Sequence, residues 1–206
     1  MNVETCANII RPVIGFIFGF AAAVFAEPLR RYIFRPKLEM EFGDTNDFKA
    51  DTPEVRQMPD GSLKEGPAYY IRGRVVNKSV NIAKQCMVYL TNIERRSERT
   101  GLFDQTIFCE SIPLHWSCRG PENAFSYLDL PKGVNQYFDI FSTRQGDTML
   151  HLQILIKPFR YNNLFQEQGT YRFTVQVSGE GFSPISMKII VQWKCIWNDF
   201  VLGKEE

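Results

Sequence analysis

The 206-residue chain has only two histidines, His115 and His151, and five cysteines, none in a C-x-x-C pair. A structural zinc site draws on tight cysteine or histidine pairs, and neither spacing occurs here. The glycine-rich phosphate loops and the G-x-S-x-G nucleophile elbow are missing as well. Looser groupings can be drawn, His115 with Cys118 and Cys109 for a metal, or Cys118, His115 and Glu122 for a nucleophile, base and orienter. Residues so close in sequence seldom reach opposed, productive geometry. No metal and no cofactor is expected, and the chain reads as non-enzymatic.

A strong charge of one sign is also lacking. The formal net charge is +1, while residues 38–206 carry 19 Lys and Arg against 21 Asp and Glu. The positive balance therefore resides in Arg30, Arg31, Arg35 and Lys37, and the rest of the chain has no basic footprint for nucleic acid. Helical periodicity is missing beyond the amino-terminal region, so crossover helices for a parallel sheet are excluded.

What is present first is one apolar run. Residues 12–26 are uncharged, and residues 9–26, with Arg11 reaching outward, make 18 residues, roughly 27 Å of helix. Three readings compete: a single-pass membrane anchor, a signal peptide ending at Val24-Phe25-Ala26, and a surface or core helix. The segment before the run holds Glu4 beside Arg11, a poor positive leader, and the run has no polar face for surface binding. The anchor is favoured, ending at Pro28 in a basic and aromatic collar to residue 37 that includes Tyr32 and Phe34. With four cations after the run and one before it, the positive-inside rule places residues 38–206 in the cytoplasm at an inner membrane. Gly15, Gly19, Ala22 and Ala23 form a small-residue face through which anchors can self-associate into a homo-oligomer. The plain alternative is that glycine is common in membrane helices.

After the collar the pattern turns to period two. Alternation predicts strands over 38–42, 68–77, 83–94, 105–109, 112–116, 126–130, 134–141, 148–156, 170–178 and 186–197. Cys86, Val88 and Leu90 share one face; so do Leu150, Leu152, Ile154 and Ile156, with His151 on the opposite, solvent side. Tyr171, Phe173, Val175 and Val177 share another, as do Met187 through Trp197 at every second position. Residues 43–67 read as a long polar excursion, with Asp60-Gly61 able to turn a hairpin. Many short strands with frequent turns predict an antiparallel β-sandwich. The domain plan is an anchor and collar over 1–37 and a β-sandwich over 38–206.

Val76-Asn77-Lys78, running to Ala83, Cys86 and Val88-Tyr89-Leu90, resembles the V-x-N piece and apolar strand of prokaryotic immunoglobulin-like adhesion modules. Leu130-Pro131-Lys132-Gly133 is similar to their L-x-x-G turn, and Gly169-Thr170-Tyr171-Arg172-Phe173-Thr174-Val175 to their G-x-Y-x-x-x-V strand. The resemblance covers about residues 68–180, although the glycine expected near Ser79 is absent. It implies an immunoglobulin-like sandwich acting through contacts, often outside the cell.

Candidate binding residues are Arg95, Arg96, Arg99 and Arg119, whose guanidinium forks suit phosphates and carboxylates. Glu94, Glu98 and Glu122 beside them offer the ordinary alternative of neutralised surface pairs. Trp197 with Phe200 is a candidate interface anchor if exposed, and packing otherwise. The function expected is a membrane-anchored binding, sensor or accessory module taking a protein partner or small anionic ligand. Two alternatives stand beside it: an exported adhesive or structural sandwich with a cleaved signal peptide, and a membrane-perturbing effector activated by oligomerisation.

Overall fold

The period-two segments form strands because alternate side chains can be buried between two sheets while the others meet water. The computed structural model describes residues 19–20, 24–26, 35–57, 60–120, 122–161 and 163–205. The apolar run therefore lies outside the described residues except for residues 19–20 and 24–26, which are helical. Among the described residues no helix is long and apolar enough to cross a membrane. The second compact unit begins at Pro36 and runs to Glu206.

In chain order its strands are β1 (Leu38–Glu41), β2 (Lys49–Gln57), β3 (Leu63–Asn77), β4 (Ala83–Arg96), β5 (Phe103–Gln105), β6 (Ile112–Pro113), β7 (His115–Trp116), β8 (Leu128–Leu130), β9 (Asn135–Arg144), β10 (His151–Leu152), β11 (Gly169–Glu180), β12 (Ile185–Trp193) and β13 (Phe200–Lys204). They make two antiparallel sheets. One has the order β1-β3-β9-β10, with β2 also on β3 and β7 also on β9. The other has the order β13-β12-β11-β4-β5, with β6 and β8 also on β4. Residues buried between them include Ile71 and Val75 of β3, Phe138 and Phe141 of β9, Val88 and Leu90 of β4, and Phe173, Val175 and Val177 of β11. This is the all-β sandwich that the alternation predicts.

Several segments depart from expectation. Residues 43–67 are mostly ordered as a hairpin: β2 pairs with β3 from Lys49↔Ile71 to Gln57↔Leu63. Its turn uses Asp60-Gly61, with Gly61 at φ 82° and Asp60 accepting from the Ser62 amide at 2.9 Å. Polar composition hid these strands because β2 lies at a sheet edge, where little needs burying. The segment 148–156 shrinks to β10 and an isolated Leu114↔Ile154 bridge, and Ile156 is 68% exposed. His151 does not face freely into solvent: it is half-buried, with Nε2 2.9 Å from Asp147 Oδ2. Burial pushes its pKa below the ordinary value, against the pull of Asp147. The segment 186–197 stops at Trp193, and Cys195 at φ 58° turns the chain so that β13 returns beside β12. Residues 105–109 pair only through β5, at Phe103–Gln105.

The turns at one end are organised by Asn77, which is fully buried. Its Nδ2 donates to the carbonyls of Asn81 at 2.6 Å and Leu130 at 2.8 Å, and its Oδ1 accepts from the Ser79 amide at 3.0 Å. Its own carbonyl accepts from the Gly133 amide at 2.9 Å. A buried amide with every group paired fixes geometry, whereas a missing partner costs about 1–3 kcal/mol per orphaned group. Asn77→Ala is expected to lower unfolding stability by about 3 kcal/mol, and Asn77→Asp by a similar amount because a carboxylate cannot donate to Leu130. Urea denaturation of both variants measures this; midpoints equal to the parent's would show that Asn77 does not hold these turns.

Candidate anion-binding cleft

β4 starts at Ala83 beside β8 and ends at Arg96 beside β5. Along the way one residue is inserted against β11: Asn92 faces Thr174 while Leu90 faces Val175, leaving Thr91 as a bulge. The Thr91 hydroxyl donates to the Thr174 carbonyl at 3.1 Å. The bulge exchanges the two faces of the strand. Cys86, Val88 and Leu90 point inward before it; Ile93 does so after it. Arg95 therefore pairs with inward-facing Tyr171, whereas Glu94 pairs with outward-facing Arg172.

Arg95 thus enters the mouth of the sandwich at the end opposite Asn77. A cleft of about 650 Å³ opens there, lined among others by Arg95, Arg96, Arg99, Thr106, Asn163 and Tyr171, with Glu98 and Asp104 as its carboxylates. Arg95 is held by an ion pair to Glu167, by donation from Nη2 to the Gln168 carbonyl at 3.1 Å, and by the Tyr171 ring 5.9 Å from its guanidinium carbon. The Glu167 hydrogen bond raises the pKa of Arg95 further above its ordinary value. Burial likewise raises that of Tyr171, whose neutral hydroxyl donates to the Glu167 carbonyl at 2.8 Å.

Arg96 donates through Nε to the Gly101 carbonyl at 2.8 Å, which braces it against its own turn. Gly101 stands at φ 71°, where a side chain would be strained, and its amide closes the turn onto the Ser97 carbonyl at 2.9 Å. Arg99 is exposed on this turn. Among the described residues neither Arg96 nor Arg99 has a carboxylate within ion-pair distance. The neutralising pairs offered by sequence proximity do not form at these two residues: Glu94 instead receives a bidentate bond from Arg172 at 2.7 and 2.8 Å on the outer face. The cleft volume lies within the range of small-ligand sites, and its unpaired guanidinium donors match phosphate or carboxylate oxygens.

Three of the four candidate arginines therefore meet, and Arg119 does not join them. It is half-buried in the turn after β7, whose chain runs antiparallel to β9 toward the Asn77 end. Trp197 is half-buried and stacks on Tyr69 with centroids 5.4 Å apart, while Phe200 is buried. Gly19 is helical, and Gly15, Ala22 and Ala23 lie outside the described residues. His115 Nδ1 lies 2.8 Å from Asp139 Oδ2, and the Ser117 hydroxyl donates to Asp139 Oδ1 at 2.5 Å. The carboxylate stands between the other two, so the hydroxyl has no bond to the imidazole. Among the described residues no cluster of His, Cys, Asp or Glu could hold a metal ion.

Sequence spacing does not mark Glu167 and Tyr171 as site residues, because the pairing of β11 with β4 is what brings them to Arg95. No protein-family model matches the chain, and no curated protein matches its sequence. Trp197→Ala removes one side of the Tyr69 stack and is expected to lower stability by about 2 kcal/mol. A urea midpoint unchanged from the parent would show that the stack is not a structural contact.

Proposed function

We propose that this chain is a non-enzymatic binding or sensor module of prokaryotic immunoglobulin-like type, held at the cytosolic face of a membrane by residues 9–26 as a single-pass anchor. Its ligand is a small anion, or an anionic group on a protein partner, received between Arg95, Arg96 and Arg99. One observation carries this reading: the arginine-lined cleft opens at the end of the sandwich opposite the end at which the chain enters. Lys37, just before β1, accepts at its carbonyl from the Lys78 amide at 2.9 Å. From there β4 leads to Arg95, twelve residues beyond Ala83, or about 40 Å at the rise of a strand. The cleft is thus built at strand ends remote, along β4, from the residue that follows the basic collar.

Two further features support it. The cations Arg30, Arg31, Arg35 and Lys37 follow the apolar run, the bias expected of a cytosolic flank. Cys86, Cys109, Cys118 and Cys195 are all unbridged, as suits a reducing compartment. Gly15, Gly19, Ala22 and Ala23 would let two anchors pack closely, so that ligand capture at the cleft and clustering in the membrane can act together.

The cleft is tested with pyrophosphate titrated into the full-length chain in lipid nanodiscs. Saturable binding is expected, weakened by about tenfold or more in Arg96→Glu/Arg99→Glu and unchanged in Arg119→Glu. Absence of saturable binding, or indifference to the double reversal, would overturn the assignment. Sidedness has its own test. Cys109 and Cys118 are exposed, whereas Cys86 is buried with its thiol pKa pushed up to about 12 by desolvation. A membrane-impermeant maleimide should modify Cys109 and Cys118 only after cells are permeabilised, and Cys86 only after unfolding; labelling of the first two in intact cells would place the domain outside.

A further inference from the structure

The most firmly held arginine of the cleft is already engaged. The Arg95 fork turns toward the segment just before β11, where Nη1 pairs with the Glu167 carboxylate and Nη2 donates to the Gln168 carbonyl at 3.1 Å. Glu167 is fixed there by its backbone, because its carbonyl accepts from the Tyr171 hydroxyl at 2.8 Å. Its side chain is 70% exposed, and among the described residues Arg95 is its one ion-pair partner. A carboxylate on a fixed backbone, with its head open to water, thus occupies the place that a ligand oxygen would take on Arg95.

The other carboxylates nearby do not take this place. Asp104 stands opposite Arg95 in the β4–β5 register, and Glu98 lies on the turn between those strands. Among the described residues neither has a cation within ion-pair distance. Glu94 is drawn to Arg172 on the outer face. Arg95, Arg96 and Arg99 are thus matched in number by Glu98, Asp104 and Glu167, but only Glu167 closes on a guanidinium. A ligand therefore gains at Arg95 by exchange rather than by addition. A free single carboxylate cannot displace an equal one that the chain already holds in place, because tethering gives the resident the higher effective concentration. A phosphoryl group, with about two negative charges and three acceptor oxygens, can take Arg95 and still offer oxygens to a second guanidinium of the cleft.

We infer that Glu167 is a resident competitor: it masks Arg95 in the empty cleft and is displaced by the bound anion, which selects multiply charged ligands of phosphate type over single carboxylates. The inference rests on the reading of the cleft as an anion site, and it adds how that site discriminates. Specificity of this kind comes from a contact that the wrong ligand cannot replace. Displacement leaves Arg95 in position, since the Gln168 carbonyl and the Tyr171 ring, 5.9 Å from its guanidinium carbon, still hold it.

The experiment titrates pyrophosphate into the full-length chain in nanodiscs at low ionic strength, where exposed pairs are least screened. Glu167→Gln keeps the size of the side chain and the backbone bond to Tyr171 but removes the competing charge. It is expected to bind pyrophosphate about fivefold more tightly than the parent, the upper range for an exposed ion pair. Glu98→Gln removes an equal charge from the same cleft without freeing Arg95, and a gain of less than about twofold is expected. In an Arg95→Gln chain the gain from Glu167→Gln should vanish. Acetate should show no saturable binding to the parent. A parent that binds pyrophosphate, with Glu167→Gln binding it equally or more weakly, would show that Glu167 positions Arg95 rather than masking it, and overturns the inference. Equal gains from Glu167→Gln and Glu98→Gln reduce the effect to net charge and overturn it too. Acetate bound as tightly as pyrophosphate overturns the selection for multiple charge. Absence of saturable pyrophosphate binding in both the parent and Glu167→Gln overturns the reading of the cleft itself.

Discussion

Phe141 is the contact on which the cleft end of the sandwich depends. It stands on β9 of one sheet and stacks on Phe173 of the other, with ring centroids 5.6 Å apart, while meeting Phe200 edge-on at 6.3 Å. From Phe173 the rings continue through Phe165 at 5.7 Å to Tyr171 at 5.1 Å. From Phe200 they continue through Tyr69 at 6.3 Å to Trp197. Each such pair adds about 0.5–1.5 kcal/mol beyond the burial of its area. The column joins the sheets and, through Tyr171, sets the wall against which Arg95 is held. Lys49 closes its outer edge, its ammonium lying 4.5 Å from the Tyr69 ring centre and 4.4 Å from that of Phe200.

The opposite end is held by polar satisfaction instead. Asn77 supplies both donors and an acceptor to the β3–β4 and β8–β9 turns. The two ends therefore differ in kind: one rigid through a hydrogen-bonded hub, the other through ring packing around a charged mouth. Arg172 lies on the outer face near the cleft end and is secured by Glu94, by Glu205 at 2.8 Å and by the Phe103 ring 4.2 Å away. Drawing Glu94 outward to Arg172 leaves the inner mouth with Arg95 and without that carboxylate.

Much of this was legible in the chain as written. The strands over 170–178 and 83–94 announced themselves because burial on one face and water on the other leave a period of two, and Tyr171, Phe173, Val175 and Val177 are all buried as that period requires. The failures fall where burial gives no such mark. β2 lies at an edge and reads as polar loop. β13 is brief and follows a turn made by Cys195 in a conformation that non-glycine residues seldom adopt. The apparent strand over 148–156 carries apolar alternation through Leu150, Leu152 and Ile154, yet Ile156 leaves the core as the chain crosses from β9 to β6. Alternation records which side chains are buried, but a single chain crossing between sheets can satisfy it without a continuous ladder.

The candidate site divides along the same line. Three arginines clustered near residue 97 and a tryptophan near the carboxyl end were visible as chemistry, and period-two alternation with frequent turns was enough to predict strands in a sandwich. Which arginine faces inward was not visible, because the bulge at Thr91 changes the phase of the strand without disturbing the alternation on either side of it. Nor could sequence bring Glu167 and Tyr171 to Arg95, or part Arg119 from the others, since those separations are set by which strands lie side by side. Local chemistry and periodicity are properties of neighbours along the chain, and they determined the all-β class and the kinds of group available. Direction and partnership are properties of pairing across the chain, and only the folded sheets decided them.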